Sequence, residues 1–259
     1  MTNLVKGWLA STSNSNAPTF YPGTNLIKTA SLNSFDEYII PEHTYISNQL
    51  TLSSCVANAS CDALEILQGL RDPLNVKQLS RLFIYWNSRL AHQATGLDEG
   101  TYIHFAMKSL ETLGVCEEST WEYKTDKVFA QPNILAYKEA NDNMISAFYQ
   151  ITSFDQQRLN EIELAIRANH PVVFGTQVDK NFAANILAPV TNKPTSNIAG
   201  GHAMIITGVR RSPNLQFYIR NSWGPTWGNN GHAWLSDEYI AWDETQDIFV
   251  GTIGVDLLK

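Results

Sequence analysis

Apolar and polar positions change rhythm about halfway along the chain. From Cys55 the residues Val56, Ala59, Ala63, Leu67 and Leu70 recur at steps of three and four, the period of one helix face, until Pro73 closes the stretch. A second helical stretch carries Val76, Leu79, Leu82, Phe83, Trp86 and Leu90 on one side. A third carries Ile103, Ala106, Met107, Leu110 and Leu113 and stops at Gly114, the residue best suited to a left-handed C-terminal position. After Tyr149 one more helix is predicted over about 155–169, with Leu159, Ile162 and Ile166 inward. Apolar runs at 171–174, 202–209, 216–221 and 232–235 then read as strands, separated by turn-rich pieces such as Arg211-Ser212-Pro213-Asn214. Helices first and strands later predict an α+β fold with a helical half, a sheet half and a cleft between them. Residues 1 to about 45 show no period and contain Pro18, Pro22 and Pro41, which predicts an extended, irregular lead-in.

Composition narrows the classes of function. The chain has 259 residues, 44% hydrophobic and 17% charged, which excludes a disordered or fibrous polymer. Its 18 Lys and Arg against 25 Asp and Glu give a net charge of −7 with no long basic run, so no nucleic-acid partner is expected. No stretch of ~18 apolar residues suggests a membrane span. The first residues, Met1 to Tyr21, hold one lysine and a Ser/Asn-rich run where a secretion signal would need an apolar core. The expected location is therefore the cytoplasm, or outside the cell by a route without a Sec signal, and a monomer is the favoured state.

Three cysteines cannot all pair with one another, and one of them sits where chemistry is favoured. Cys55 opens the first helix, behind Ser53 and Ser54 as candidate caps. A thiol there meets the positive end of the backbone dipole, which favours thiolate. Cys61 and Cys116 read as small buried hydrophobes, with one disulfide between them as the alternative. A zinc site built from the cysteines and a histidine lacks the C-x2-4-C spacing, so neither metal nor cofactor is expected. His202 follows Gly200-Gly201, where the lack of side chains lets another chain approach, and begins a strand that would hold its ring rigidly. Asn221 ends the next strand, and its amide oxygen can fix the imidazole tautomer without adding a second negative charge. The other histidines, at 43, 92, 104, 170 and 232, read as ordinary surface or core residues, and the sequon Asn58-Ala59-Ser60 falls inside a predicted helix.

Gly201-His202-Ala203, followed by Tyr218-Ile219-Arg220-Asn221-Ser222-Trp223-Gly224-Pro225-Thr226-Trp227-Gly228, resembles the His and Asn motifs of papain-like cysteine peptidases. Gln49 lies six residues before Cys55, the offset of that family's oxyanion-hole glutamine. Softer similarity extends from about residue 40 to 255 and is nearest to the family's bacterial branch. The resemblance implies a two-lobed α+β fold, with a helical lobe at about 41–150, a β lobe at about 151–259 and the active-site cleft between them. It implies a peptidase acting on polypeptides, with Cys55 as nucleophile, His202 as base and then acid, Asn221 as orienter, Gln49 with the Cys55 amide as oxyanion hole, and Trp223 as a shield. Gly100 and Gly201 would meet the substrate backbone.

The chain also departs from that pattern. Leu52-Ser53-Ser54-Cys55-Val56 lacks the usual Cys-Gly-Ser/Ala-Cys string, and Leu52 stands where a disulfide partner normally lies. His202 comes 147 residues after Cys55 and Asn221 comes 166 after it; an insertion near 211–215 would account for the longer spacing. The turn-rich segment 179–200 is expected to be a specificity loop. Residues 1–40 are too short for a large helical prosegment and are expected to lie over the cleft as a plug or short pro-region. Two other readings keep the fold: an acyltransferase or deamidase using the same residues, and an inactive binding protein.

Overall fold

The N-terminal stretch departs from the irregular lead-in that its prolines predict. In the computed structural model, which describes residues 7–12, 15–184 and 189–254, a helix α1 (Thr24–Leu32) begins two residues after Pro22 and buries Leu26 and Ala30. Two inward positions in nine residues are too few to show a period. A short strand β1 (Glu37–Ile39) follows. Residues 1–6, at the start of the expected plug, lie outside the described residues, as do 13–14, and 185–188 within the expected specificity loop.

The three helices of the first half form where the spacing predicts them. They are α2 (Cys55–Arg71), α3 (Arg81–Ala91) and α4 (Ile103–Thr112). Val76 and Leu79 precede α3 instead of opening it, because Ser80 caps the helix by accepting the Phe83 N–H. Gly114, with φ +72°, ends α4 as expected. The single-faced pattern read for α2 understates its burial, since every residue from Cys55 to Leu67 is buried. Small residues at 57, 59, 60 and 63 let α2 pack between α3, α4 and the sheet. Its polar residues are satisfied inside the protein: Asn58 donates to the Ser54 carbonyl, and Asp62 and Glu65 receive Arg81.

After α5 (Ile134–Ala140) the chain builds one antiparallel sheet. In chain order its elements are β2 (Ala147–Ile151), α6 (Asp155–Arg167), β3 (Val172–Asp179), α7 (Lys180–Ala183), β4 (Ile198–Arg210), β5 (Gln216–Arg220), β6 (His232–Ser236), α8 (Asp237–Ala241) and β7 (Gln246–Thr252). The strands lie in the order β2-β7-β3-β4-β5-β6, and β1 pairs with β4 beyond the end of β3. β4 is the central strand, and its register places His202 opposite Thr176 and Ile205 opposite Arg220. β7 slots between β2 and β3, one place in from the β2 edge of the sheet.

A buried ion network ties the two halves together. Arg81 of α3 grips Glu65 and donates to Asp62 at 2.6 Å, both on α2. From the sheet side, Arg220 of β5 donates to Asp62 at 3.1 Å and to Glu42 at 2.6 Å, and His232 of β6 meets Glu42 at 3.1 Å. Asp62 therefore joins the helix that begins at Cys55 to the strand that ends beside Asn221. Among the described residues, no helix is long and apolar enough to cross a membrane.

Candidate active site

Cys55 is the first residue of α2 and is fully buried. Ser54 occupies the cap position without capping, because its hydroxyl pairs with Tyr123 Oη at 2.6 Å and accepts from Asn58 Nδ2. The turn before the thiol is held from both sides. Asp98 accepts the Ser53 N–H at 3.0 Å and the Tyr85 hydroxyl at 2.6 Å, and Tyr123 donates to the Gln49 carbonyl at 2.8 Å.

β4 brings His202 to this turn. The N–H of the next residue, Ala203, donates to Cys55 Sγ at 3.4 Å. The His202 Nε2–H donates to Asn221 Oδ1 at 2.7 Å, which leaves Nδ1 as the uncommitted ring nitrogen. The Trp223 ring lies on the imidazole with centroids 4.5 Å apart and planes 24° apart, and Trp227 and Phe182 brace Trp223 edge-on.

Gln49 joins the same group through the backbone. Asn48 bridges Trp223, the Gln49 N–H donates to the Ser222 carbonyl at 2.8 Å, and the Gly224 N–H donates to Ser47. Its side chain is fixed too: Oε1 accepts the Ser222 hydroxyl at 2.8 Å, and one Nε2 hydrogen goes to the Leu52 carbonyl. The second amide hydrogen has no partner among the described residues. Cys55, His202, Asn221, Gln49 and Trp223, drawn from both halves of the sequence, thus form one buried cluster.

The N-terminal segment lies across this cluster. A Cβ added to Gly7 would stand 2.6 Å from Cys55 Sγ, so the segment passes directly over the sulfur. Gly7 and Leu9 pair in parallel with Thr101, through Thr101 N–H to Gly7 O and Leu9 N–H to Thr101 O, both 3.0 Å. Gly100 and Gly201 are both met by this strand: a Cβ on Gly100 would collide with the Gly7 carbonyl, and one on Gly201 would lie 2.8 Å from Trp8 O. Burial under the segment reverses the expectation of an acidic thiol. It pushes Cys55 up to about 12 against the pull of the Ala203, Val56 and Cys55 N–H groups. It also pushes His202 down to about 4, with the Asn221 hydrogen bond opposing. Both groups are neutral in this arrangement.

Cys61 and Cys116 are buried free thiols, so the alternative disulfide between them is absent. Sequence reasoning missed Tyr123, Asp98 and Ser222, which position the cluster, and Asp247, which receives Trp8. A tyrosine or an aspartate in a loop carries no local signal of such a role.

A family model described as papain family cysteine protease matches residues 40–246. The chain belongs to the papain family of cysteine proteases. Its papain-family relatives include a peptidase C1-like protein of Acanthamoeba polyphaga mimivirus, 32% identical over 211 residues, a match covering 78% of this chain and 67% of the viral protein. A cysteine protease of the mite Blomia tropicalis is 24% identical over 197 residues, covering 74% of this chain and 57% of that one. Among solved structures, xylellain, a cysteine protease from Xylella fastidiosa, superposes with a TM-score of 0.85 at 23% identity and covers 98% of both chains. That likeness establishes the papain-like two-lobed α+β fold, one lobe helical and the other built on the sheet.

Proposed function

We propose that this papain-family chain is an endopeptidase in which Cys55, His202 and Asn221 act as a catalytic triad. The observation that carries the reading is the joint placement of the Cys55 sulfur at the start of α2, against the Ala203 N–H, with the imidazole of His202 committed to Asn221 through Nε2. Only Nδ1 is then free to take the thiol proton. The thiolate attacks the peptide carbonyl, and the oxyanion meets the Cys55 backbone N–H and the second Gln49 amide hydrogen, a type of donor worth about 3–4 kcal/mol of barrier. His202 passes its proton to the departing amine, leaving a thioester on Cys55. A water molecule, deprotonated by His202, then attacks the thioester and restores the thiol. Trp223 keeps bulk water off the His202–Asn221 hydrogen bond.

Residues 1–40 act in this reading as a plug and 41–259 as the peptidase domain. The course of Gly7 and Trp8 over the sulfur, and the neutral thiol and imidazole beneath them, support it. Gly100 and Gly201 then serve the substrate backbone once the plug has moved.

The test is hydrolysis of a library of fluorogenic peptides by the full chain carrying Trp8→Ala, with Cys55→Ala added as control. Cleavage that disappears with Cys55→Ala is expected. Acyl transfer to added hydroxylamine without hydrolysis would replace the peptidase by the acyltransferase reading. Neither reaction, in a folded chain, would leave the inactive binding protein.

A further inference from the structure

The turn that carries the sulfur has no covalent tie. Leu52 stands where a disulfide partner would lie, and all three cysteines are free. A single side chain from the loop before Gly100 bridges the gap instead: Asp98 Oδ1 accepts both the Ser53 N–H at 3.0 Å and the Tyr85 hydroxyl at 2.6 Å. Ser53 lies two residues before Cys55 and is fully buried. Tyr85 of α3 carries the tie onward, because its oxygen also accepts the Gly100 N–H at 3.2 Å. One carboxylate oxygen therefore joins the turn before the thiol to the edge at Gly100 and Thr101, the edge with which Gly7 and Leu9 pair.

The rest of that loop is fixed around the same point. Arg89 of α3, 1% exposed, donates to the Leu97 carbonyl at 2.6 Å and to the Tyr85 carbonyl at 3.2 Å, and its guanidinium lies over the Tyr85 ring, 3.9 Å from the centroid. Burial works against the charge of Arg89, and the Asp98 carboxylate is among the groups that offset this. Burial also raises the Tyr85 phenol above its usual range, so Tyr85 stays a donor to the carboxylate. Without Asp98 the Ser53 N–H is a buried donor with no acceptor among the described residues, and the turn relaxes to find one. A shift of about 1 Å at a reacting atom is enough to cost about a hundredfold in rate.

We propose that Asp98 is a positioning residue that sets the distance between the Cys55 sulfur and the pairing edge at Gly100 and Thr101, through one oxygen shared by Ser53 and Tyr85. It acts through the turn and does not touch the reacting atoms. The proposal rests on the peptidase reading given above and adds a residue to that site.

The test takes the full chain with Trp8→Ala as parent, adds Asp98→Ala or Asp98→Asn, and measures steady-state cleavage of the fluorogenic peptide that the parent cleaves fastest. Asparagine keeps an accepting oxygen and removes the charge, so the two variants separate the hydrogen bonds from the electrostatics. Asp98→Ala is expected to lower kcat/KM by about tenfold to a hundredfold, mostly in kcat. Asp98→Asn is expected to stay within about threefold of the parent. Asparagine as damaging as alanine, or no loss with alanine, would overturn the assignment. Tyr85→Phe removes one donor to the same oxygen, keeps the ring, and decides the matter even where Asp98→Ala does not fold. It is expected to cost about threefold to tenfold alone and little more once Asp98→Ala is present, so no loss, or fully additive losses, would overturn the shared tie. Alkylation of Cys55 by iodoacetamide in the same chains reads the tie without turnover. A parent that cleaves no peptide counts against the peptidase reading alone, while alkylation slowed by Asp98→Ala and restored by Asp98→Asn supports the tie. Equal alkylation rates in parent, Asp98→Ala and Asp98→Asn would overturn the role of Asp98.

Discussion

Among the described residues the imidazole of His202 is held by one acceptor, Asn221, and covered by one ring, Trp223, so on the proposed reading their contributions are separable. Asn221→Ala removes the acceptor and frees the ring to turn, and kcat/KM is expected to fall by about tenfold to a hundredfold with KM little changed, a loss of orientation more than of binding. Gln49→Ala removes an oxyanion donor, and kcat is expected to fall by about a hundredfold to a thousandfold in steady-state assays. Burial of neutral His202 also links folding to pH. Its folded value is about 4 against 6.5 for the free side chain, so between those values the unfolded chain binds the extra proton. Stability from this residue is therefore complete above about pH 6.5 and is lost as pH falls toward 4, by about 3 kcal/mol in all. Urea midpoints measured from pH 7 to 4.5 should show this slope in the wild type and a flatter one in His202→Gln; parallel slopes would refute it.

At the scale of elements, Asp62 and the two arginines hold α2, which begins at Cys55, at a fixed separation from β5, which ends beside Asn221. Asp62→Ala leaves Arg81 and Arg220 facing each other across a dry gap, and a loss of about 3–5 kcal/mol is expected in urea unfolding. The same helix shows where sequence reading reaches its limit. Its period was legible from Val56 to Leu70, but nothing local shows that Asp62 and Glu65 are inside, and only the tertiary partners Arg81 and Arg220 reveal it. That Cys55, His202, Asn221 and Gln49 come together was legible from the strings around His202 and Asn221, from the start of a helical period at Cys55 and from the six-residue offset of Gln49, although the usual string around the cysteine is missing. α1 and the strands β2 and β7 were not, since each is short and takes its definition from partners far along the chain. Asp247 was hidden for a related reason. It follows Asp243 and Glu244, and an acidic stretch looks like surface until the strand pairing turns one carboxylate inward.

At the scale of the whole molecule, residues 7–12 lie across the cluster around Cys55, and on the proposed reading they close the cleft. The segment is attached by few bonds at the site itself, chiefly the Thr101 pairing and the Trp8 to Asp247 hydrogen bond, and more firmly beyond it, where Phe20 and Pro18 bond Gln150 and α1 packs on α6. Local release over the sulfur therefore does not require the lead-in to unfold. Trp8→Ala is expected to raise the rate of Cys55 alkylation by iodoacetamide at pH 7 by at least about tenfold, because water returns to the thiol and imidazole. An unchanged rate would mean that the segment does not guard the site. The central claim, that Cys55 is the nucleophile, is tested most directly by treating the full chain carrying Trp8→Ala with a peptidyl epoxide and locating the adduct by mass spectrometry. One adduct is expected, on Cys55, and it disappears with His202→Ala. Labelling of Cys61 or Cys116 in its place, or an adduct on Cys55 indifferent to His202, would contradict it.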